Sequence, residues 1–345
     1  MMIRCRGVGH RRTWRAYFAL NATLACLYGC STWGWPPLPV AVADRMEKAN
    51  ALPLSSFYDT PADISASRPG DLLRKADASD YSLPKGTRAV RILYHSLDAD
   101  GKDVATSAAI LIPAGSPTMG GWRVIAWAHG TSGVARQCAP SAMKDLYYGD
   151  EGLFEMVKAG YVVIATDYHG LGTEGPHQYM SKRAQAHDVI FSVPAARAAI
   201  AGLGANWVVD GHSQGGVAAW GVAEMEADLQ DPSYLGAVAV SAATNLADAL
   251  QHSEDIKGAG FYLVWLAYGA HAQFPEFQPS DALSAIGFAH YDSATTGGCW
   301  LHGYATYKSV ETSAMFRPIS SKINGSRSIS TRIVPARPQS VLRYW

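Results

Sequence analysis

The chain has 345 residues, enough for one large α/β domain with an insertion or for two smaller domains. Its formal net charge is zero, but five of the 29 basic residues lie in residues 1–43 and six in residues 312–345, which leaves 18 basic against 29 acidic residues between them. This acidic body argues against a nucleic-acid-binding protein, which would need a basic face.

The N-terminus has the pattern of an export signal. Five arginines between Arg4 and Arg15 precede an apolar run over residues 16–29, and small residues offer a cleavage site after Ala43. A membrane anchor is one alternative, but about fourteen apolar residues are short for a bilayer span. Lipid anchoring at Cys30 is another, although Tyr28 fits a lipoprotein motif poorly. We therefore predict a signal peptide over residues 1–43 and a secreted mature chain.

The next segments alternate between strand-like and helix-like patterns. Residues 44–85 are rich in Pro, Ser and Asp and predict irregular structure with a turn at Pro69-Gly70. Strand-like runs over 90–94 and 105–112 flank a turn and predict an antiparallel hairpin. Further strands are predicted over 123–128, 161–165, 207–210 and 237–241. Helices are predicted over 153–159, 184–203 and 217–229. This alternation predicts an α/β fold with a mainly parallel sheet and helices on both faces.

The most informative segment is residues 211–216, GHSQGG, between a β-prone run and a helical run. This order matches the nucleophile elbow of α/β-hydrolases, a strained turn that lifts a serine hydroxyl above the sheet. Gly211 and Gly215 suit the turn because it leaves no room for a Cβ beside the serine. The helix after it aims N–H groups at the space where an oxyanion would develop. A glycine-rich turn without chemistry explains the glycines alone, so we predict Ser213 as a nucleophile.

The strand over 123–128 runs into residues 129–133, HGTSG. In α/β-hydrolases the loop after this strand supplies the other half of the oxyanion hole, and Gly130 would let its backbone approach a substrate closely. An ordinary strand-end turn is the alternative. His129 lies far upstream of the serine, so we expect it to be structural.

Residues 167–172, DYHGLG, follow the next strand. A lone Asp and His here would suit a metal site or a triad acid. We expect instead that Asp167 fixes a turn and that the glycines let the chain reverse over the sheet. Since no His/Cys cluster of the sequence has ligand spacing, neither a metal nor an organic cofactor is expected.

The strand pattern stops between residues 245 and 311. Residues 261–268 are apolar on every side, and aromatic residues continue to Phe288. Such an insertion after the sixth strand suits a helical cap whose inner face meets lipid or acyl chains; a buried core helix without a substrate role is the alternative. The predicted division is a signal peptide over 1–43, an α/β-hydrolase core over 44–244, a cap over 245–311 and a basic tail over 312–345.

Cys138 and Cys299 are the two cysteines that lie outside the predicted signal region. In an oxidising compartment two such thiols are expected to be bridged. Two unrelated buried thiols are the alternative.

Taken together, these motifs resemble the secretory lipase family. The resemblance rests on residues 69–74 (PGDLLR), 127–133 (WAHGTSG) with 138–141 (CAPS), 167–172 and 211–216. It implies Ser213 as nucleophile, oxyanion contacts near Thr131 and at the Gln214 amide, a helical cap and a Cys138–Cys299 bridge.

The C-terminal sequence departs from that pattern. In α/β-hydrolases the triad acid and base follow the serine on the last strands, but residues 312–345 contain no Asp, Glu or His. The sequence therefore predicts that the last strands, the acid and the base are missing. A substitute base within the predicted cap is an unattractive alternative, for which His302, near Cys299, is the least implausible residue. The other histidines after Ser213 are His252, His271 and His290, and the acids considered as partners are Asp255, Asp281 and Asp292.

The resulting expectation is a secreted serine lipase or esterase that forms an acyl-enzyme on Ser213. Its substrate would be a small-molecule or lipid ester, its cap would contact a lipid interface, and the mature chain would carry no stable membrane span. The alternative is a catalytically impaired remnant of the fold, lipid-binding or inactive. An acyltransferase is a third interpretation that the sequence does not separate from a hydrolase.

Overall fold

The computed structural model describes residues 38–149, 152–244 and 259–317. A seven-stranded sheet in the order β1-β2-β3-β5-β4-β6-β7 forms its centre. The strands are Leu72–Ala78 (β1), Arg88–Leu97 (β2), Asp103–Ile112 (β3), Trp122–Ala128 (β4), Tyr161–Thr166 (β5), Leu203–His212 (β6) and Tyr234–Val240 (β7). The pairs β4–β5, β4–β6 and β6–β7 are parallel, and the three pairs from β1 to β5 are antiparallel. Five strands thus run in one direction, which confirms the predicted α/β class.

The predicted hairpin is present as β2 and β3, which pair from Arg88 opposite Ile112 to Leu97 opposite Asp103. Both strands extend further than the apolar alternation predicts. The reason is that polar side chains of the added residues are paired: the hydroxyl group of Ser96 donates to the buried carboxylate of Asp188 at 2.6 Å, and Nε2 of His95 lies 3.0 Å from the carboxylate of Asp103. Paired polar groups cost little to bury, so the strands continue through them.

The predicted irregular character of residues 44–85 is wrong in two places. Helix α1, Val40–Asn50, covers the first of them, and the predicted cleavage point after the fully buried Ala43 falls inside this helix. Strand β1 covers the second. Its charged residues interrupt apolar alternation, and pairing with β2 forms the strand where local propensity does not.

The helices flank the sheet on both faces. They are Leu153–Lys158 (α2), Lys182–Ala199 (α3) and Gln214–Leu229 (α4). Helix α3 ends at Ala199, before the predicted end at residue 203, because Leu203 is already the first residue of β6. Alternate strand residues feed two apolar cores: Ile164 packs with α3 and α4 on one face, whereas Val163 and Trp127 pack with α2 on the other.

The segment after β7 forms a third apolar core. Its helices are Gly260–Gln273 (α5), Pro279–Ala282 (α6), Ala285–Phe288 (α7) and Trp300–Tyr307 (α8). Phe261, Trp265 and Tyr307 are fully buried in it, together with Met315, so the packed segment continues past residue 311. We call this segment, residues 259–317, the cap. Within the described residues, no helix is long and apolar enough to cross a membrane.

Candidate active site

Ser213 lies where β6 ends and α4 begins. Its φ is +56° and its ψ is −115°, a backbone region that non-glycine residues rarely adopt and that costs about 1–3 kcal/mol. Such a conformation persists only where the surrounding structure imposes it, and it is typical of functional turns. The predicted elbow is therefore a strained strand-to-helix turn with the serine at its apex.

The two elbow glycines lie where their neighbours leave no room for a side chain. A Cβ on Gly215 would overlap the carbonyl oxygen of Ala128, and a Cβ on Gly211 would overlap the carbonyl group of Gly215. The end of β4 therefore packs directly against the first turn of α4. This packing holds the turn in its strained conformation.

The backbone of Ser213 is also tied to the edge strand β7. Its N–H donates to the carbonyl oxygen of Val240 at 2.9 Å, and its own carbonyl oxygen accepts from the N–H of Ala243 at 3.2 Å. The serine itself is half-buried. Among the residues that the structure describes, no histidine makes a hydrogen bond to its hydroxyl group. His252 and Asp255, two of the residues considered as base and acid, lie outside the described residues.

Two backbone segments meet beside the serine, as an oxyanion hole requires. Helix α4 begins at Gln214, so the first amide N–H groups of this helix have no partner within the helix and carry its positive dipole end. The loop after β4 lies against the elbow, because a Cβ on Gly130 would be 3.3 Å from the carbonyl oxygen of His212. Thr131 follows Gly130 in that loop.

Thr131 is held in place by two tyrosines. Its hydroxyl group lies 2.8 Å from the hydroxyl group of Tyr179, and its carbonyl oxygen accepts from the hydroxyl group of Tyr147 at 2.5 Å. Thr131 is buried. The loop backbone is therefore fixed before any substrate binds, which is the condition for electrostatic stabilisation without reorganisation.

The Gln214 side chain lies in a buried polar network behind the elbow. Its amide group donates to Nε2 of His177 at 3.1 Å, and Nδ1 of His177 donates to the carbonyl oxygen of His169 at 2.9 Å. His169 in turn pairs with the carboxylate of Asp188 at 3.0 Å. Burial lowers the pKa of His177 to about 3, so its ring is neutral at pH 7.

The sequence analysis missed this network. The chain reverses after residues 167–172 and returns through Gly175 and Pro176 to His177. A histidine directly after two turn-forming residues was the available signal, but nothing in the sequence indicated that it would lie under the nucleophile turn. Asp188 lies on α3, further along the chain from residues 167–172 than His177, and an acidic residue within a helix gives no local indication that it is buried.

His129 and Asp167 both hold neighbouring backbone segments together. The buried ring of His129 contacts the carbonyl oxygens of Gly130 and Asp167 at 2.6 and 3.1 Å, and burial lowers its pKa to about 4. The carboxylate of Asp167 accepts from the Ser141 N–H at 2.7 Å and from the Ser107 hydroxyl group at 2.6 Å. It therefore ties β3 and the segment at Ser141 to the end of β5, rather than fixing only its own turn.

His302 does not lie against Ser213. Its Nδ1 is 2.6 Å from the carboxylate of Asp44, and its Nε2 is 2.8 Å from the hydroxyl group of Ser293. Both ring nitrogens are thus engaged elsewhere, and the structure does not support the prediction that His302 is the base for Ser213. The described residues contain no group of three or more His, Cys, Asp or Glu side chains that could hold a metal ion.

A disulfide joins Cys138 to Cys299, with a Cα–Cα distance of 5.4 Å. It links the loop after β4 to the start of α8. Next to it, the N–H of Trp300 donates to the carbonyl oxygen of Ser132 at 2.9 Å. The cap is therefore fastened, covalently and by hydrogen bonding, to the loop that carries Thr131.

The apolar core of the cap reaches the same place. Val217 on α4 and Tyr179, the partner of Thr131, belong to the same cluster as Phe261 and Trp265 of α5. The rings of Tyr179 and Trp265 are edge to face, 6.4 Å between centroids. An apolar, largely aromatic wall thus adjoins the predicted oxyanion loop.

Residues 148–286 match the model of the secretory lipase family. This match confirms the resemblance seen in the sequence motifs. A comparison with curated protein sequences gives no match.

Solved structures of similar fold include lipase A from Candida antarctica (TM-score 0.64, 17% identity, 78% of this chain and 65% of that one). A rice cell wall degrading esterase, LipA from Xanthomonas oryzae, matches with TM-score 0.61 and 18% identity over 73% of this chain and 74% of that one. A putative hydrolase from Legionella pneumophila matches with TM-score 0.59 and 19% identity over 72% and 73%. The fold is therefore that of α/β-hydrolases, and the chain spans just under two thirds of the length of the lipase A structure.

Proposed function

We propose that the protein is a lipase or esterase that hydrolyses carboxylic esters through an acyl-enzyme on Ser213. The observation that carries the proposal is the backbone of Ser213, strained at φ +56° between β6 and α4. Such conformations cost about 1–3 kcal/mol and cluster at active sites, where the strain is part of the mechanism. The match to the secretory lipase family and the lipase and esterase neighbours support the same reaction.

In the proposed reaction, Ser213 Oγ attacks the ester carbonyl carbon while its proton passes to a base. The oxyanion accepts hydrogen bonds from the N–H of Gln214 and from the loop at Thr131. Collapse of this intermediate breaks the C–O bond of the ester, and the base returns the proton to the departing oxygen, which leaves as the alcohol. Water then attacks the acyl-enzyme, gives a proton to the base, and releases the acid as that proton returns to Ser213 Oγ. In α/β-hydrolases the acid and base follow the serine along the chain, so the proposed base is a residue after Ser213.

The surroundings of the site favour an apolar acyl group. Tyr179, Phe261 and Trp265 line the junction between the oxyanion loop and the cap. Ile286 and Phe288 on α7 are 53% and 41% exposed, an arrangement that suits contact with a lipid interface. A secreted lipid or acyl ester hydrolase accounts for both features. The disulfide is consistent with export to an oxidising compartment.

A second candidate is a non-catalytic relative that keeps the fold and binds lipid. It is favoured by one observation: among the described residues, no histidine makes a hydrogen bond to the hydroxyl group of Ser213. Without a base, a serine enzyme retains about 10³–10⁴-fold acceleration over water from its oxyanion hole and from binding. The two candidates therefore differ in whether turnover depends on the Ser213 hydroxyl group.

The test is hydrolysis of the long-chain ester p-nitrophenyl octanoate by the full-length protein and by Ser213→Ala. Ser116→Ala is the matched control, because Ser116 is an exposed serine of the β3–β4 loop, away from the elbow. We expect turnover that Ser213→Ala abolishes and Ser116→Ala leaves unchanged. Folded protein with no turnover above background, or turnover that survives Ser213→Ala, would contradict the proposal.

A further inference from the structure

A second serine of the chain is hydrogen-bonded to a histidine that is itself held by a carboxylate. The hydroxyl group of Ser293 lies 2.8 Å from Nε2 of His302, and Nδ1 of His302 lies 2.6 Å from Oδ1 of Asp44. An activated nucleophile is recognised by a base within hydrogen-bond reach and by a third group that orients the base. The three residues come from three separate elements, so their meeting was not visible in the sequence.

The hydrogen bonds assign the tautomer that a general base needs. A carboxylate can only accept, so Nδ1 of His302 carries the proton donated to Asp44. In the neutral imidazole Nε2 then carries the free lone pair and accepts from the hydroxyl group of Ser293. His302 can therefore take the serine proton directly, and Asp44 would stabilise the imidazolium that forms.

The imidazole is fixed from two further sides. A Cβ on Gly298 would overlap the side chain of His302, so the backbone passes directly against the ring. The carboxylate of Glu47 accepts from the N–H of Cys299 at 2.8 Å and from the N–H of His302 at 3.0 Å. Glu47 thereby caps the start of α8, where the helix dipole alone would disfavour a positive imidazole. The disulfide at Cys299 anchors the same backbone.

The solvent exposure of Ser293, His302 and Asp44 differs in the way that catalysis requires. His302 is 8% exposed at its side chain and Asp44 is 51% exposed, while Ser293 is exposed at the start of the turn Ser293–Gly297. The base is thus shielded and the nucleophile is accessible to a small electrophile in solution.

We propose that Ser293 is a second nucleophile of this protein, activated by His302 and Asp44, which accepts the acyl group of small activated carboxylic esters. Ser293 Oγ forms a bond to the carbonyl carbon as its proton moves to Nε2 of His302. The ester C–O bond then breaks, and the alcohol leaves with that proton. Water releases the acyl group by the reverse use of His302.

The test uses full-length Ser213→Ala protein, so that the elbow serine cannot react, and a fluorophosphonate as the electrophile. The serine oxygen displaces fluoride and becomes phosphonylated. Trypsin cleaves after Lys257, so Ser213 and Ser293 lie in different peptides, residues 198–257 and 258–308. The second peptide also contains Ser280 and Ser284, so its fragmentation by tandem mass spectrometry assigns the label to Ser293, whether or not the elbow proposal holds.

We expect phosphonylation of Ser293 in folded protein and its loss in urea, where the three residues separate. His302→Gln should slow it by about 100-fold or more, since a general base contributes about 10²–10⁴-fold, and the near-isosteric Asp44→Asn should slow it as well. Ser116, an exposed serine in another tryptic peptide, is the internal control. Absence of label on Ser293 in folded protein, or labelling no faster than that of Ser116 or than in urea, would overturn the proposal.

Discussion

The disulfide is expected to provide a large part of the stability of the described fold. Cys138 and Cys299 are 161 residues apart, and in the chain-entropy model closing a loop of that length stabilises the native state by about 5 kcal/mol at 25 °C. The bridge also fastens α8 beside the loop that carries Thr131. The variant Cys138→Ser/Cys299→Ser should therefore unfold more easily and also lose order at the junction of cap and core.

Urea unfolding followed by tryptophan fluorescence measures the effect. With a slope of about 3 kcal/mol per molar urea, a loss of about 5 kcal/mol lowers the midpoint by roughly 1.7 M. Wild-type protein unfolded with reductant should shift similarly, and the double variant should not respond to reductant. Midpoints of wild type and variant within about 0.3 M of each other, or two titratable thiols from these cysteines in unreduced folded protein, would refute the reasoning.

Three further changes probe other parts of the account. Gly215→Ala places a Cβ on the carbonyl oxygen of Ala128, so it should abolish hydrolysis of p-nitrophenyl octanoate and destabilise the protein by about 1–3 kcal/mol. Gly120→Ala, in open space, should do neither, and a Gly215→Ala variant that still hydrolyses this ester would contradict the elbow packing. The pKa of His177 in the folded protein is lowered from 6.5 to about 3. Between these pH values the unfolded state binds one proton more than the folded state, so the free energy of unfolding falls as the pH is lowered from 6.5 towards 3. Between pH 7 and pH 5 this loss of stability amounts to about 2 kcal/mol. The urea midpoint of His177→Gln should therefore fall less between these pH values than that of the wild type, and an equal fall would contradict the lowered pKa of His177. Strand β7 is the last strand of the sheet, and its Val238 and Val240 are 51% and 45% exposed. Val238→Lys should therefore reduce aggregation, measured as light scattering on storage, more than Leu229→Lys at the end of α4 does. Equal effects of the two substitutions would show that the strand is not the aggregating surface.

The elbow could be predicted because its constraints are local. Gly211, Ser213 and Gly215 sit within five residues, and the strand and helix that flank them carry their own propensities. The two contacts that make the turn tight, at Ala128 and Val240, lie on neighbouring strands, and the parallel order of β4, β6 and β7 follows from the alternation of strands and helices. The hairpin β2–β3 was predictable on the same grounds.

The remaining features depend on tertiary partners. Strand β1 carries charges where apolar residues were expected and exists because β2 pairs with it. His177 acquires its role from Gln214, 37 residues away, and His302 from Asp44, 258 residues away. A histidine has no sequence signature for its partner, so the interpretation of His302 as the base for Ser213 rested on its position after the serine. The structure gives it a different serine.

The central claim, that Ser213 is the nucleophile, is tested most directly by mapping the serine that a fluorophosphonate modifies. Full-length protein is labelled and digested with trypsin, and the mass of the peptide covering residues 198–257 is measured. We expect a phosphonyl group on Ser213 in that peptide and none in the same peptide from Ser213→Ala. A folded protein whose 198–257 peptide stays unmodified, or one modified there at a residue other than Ser213, would contradict it.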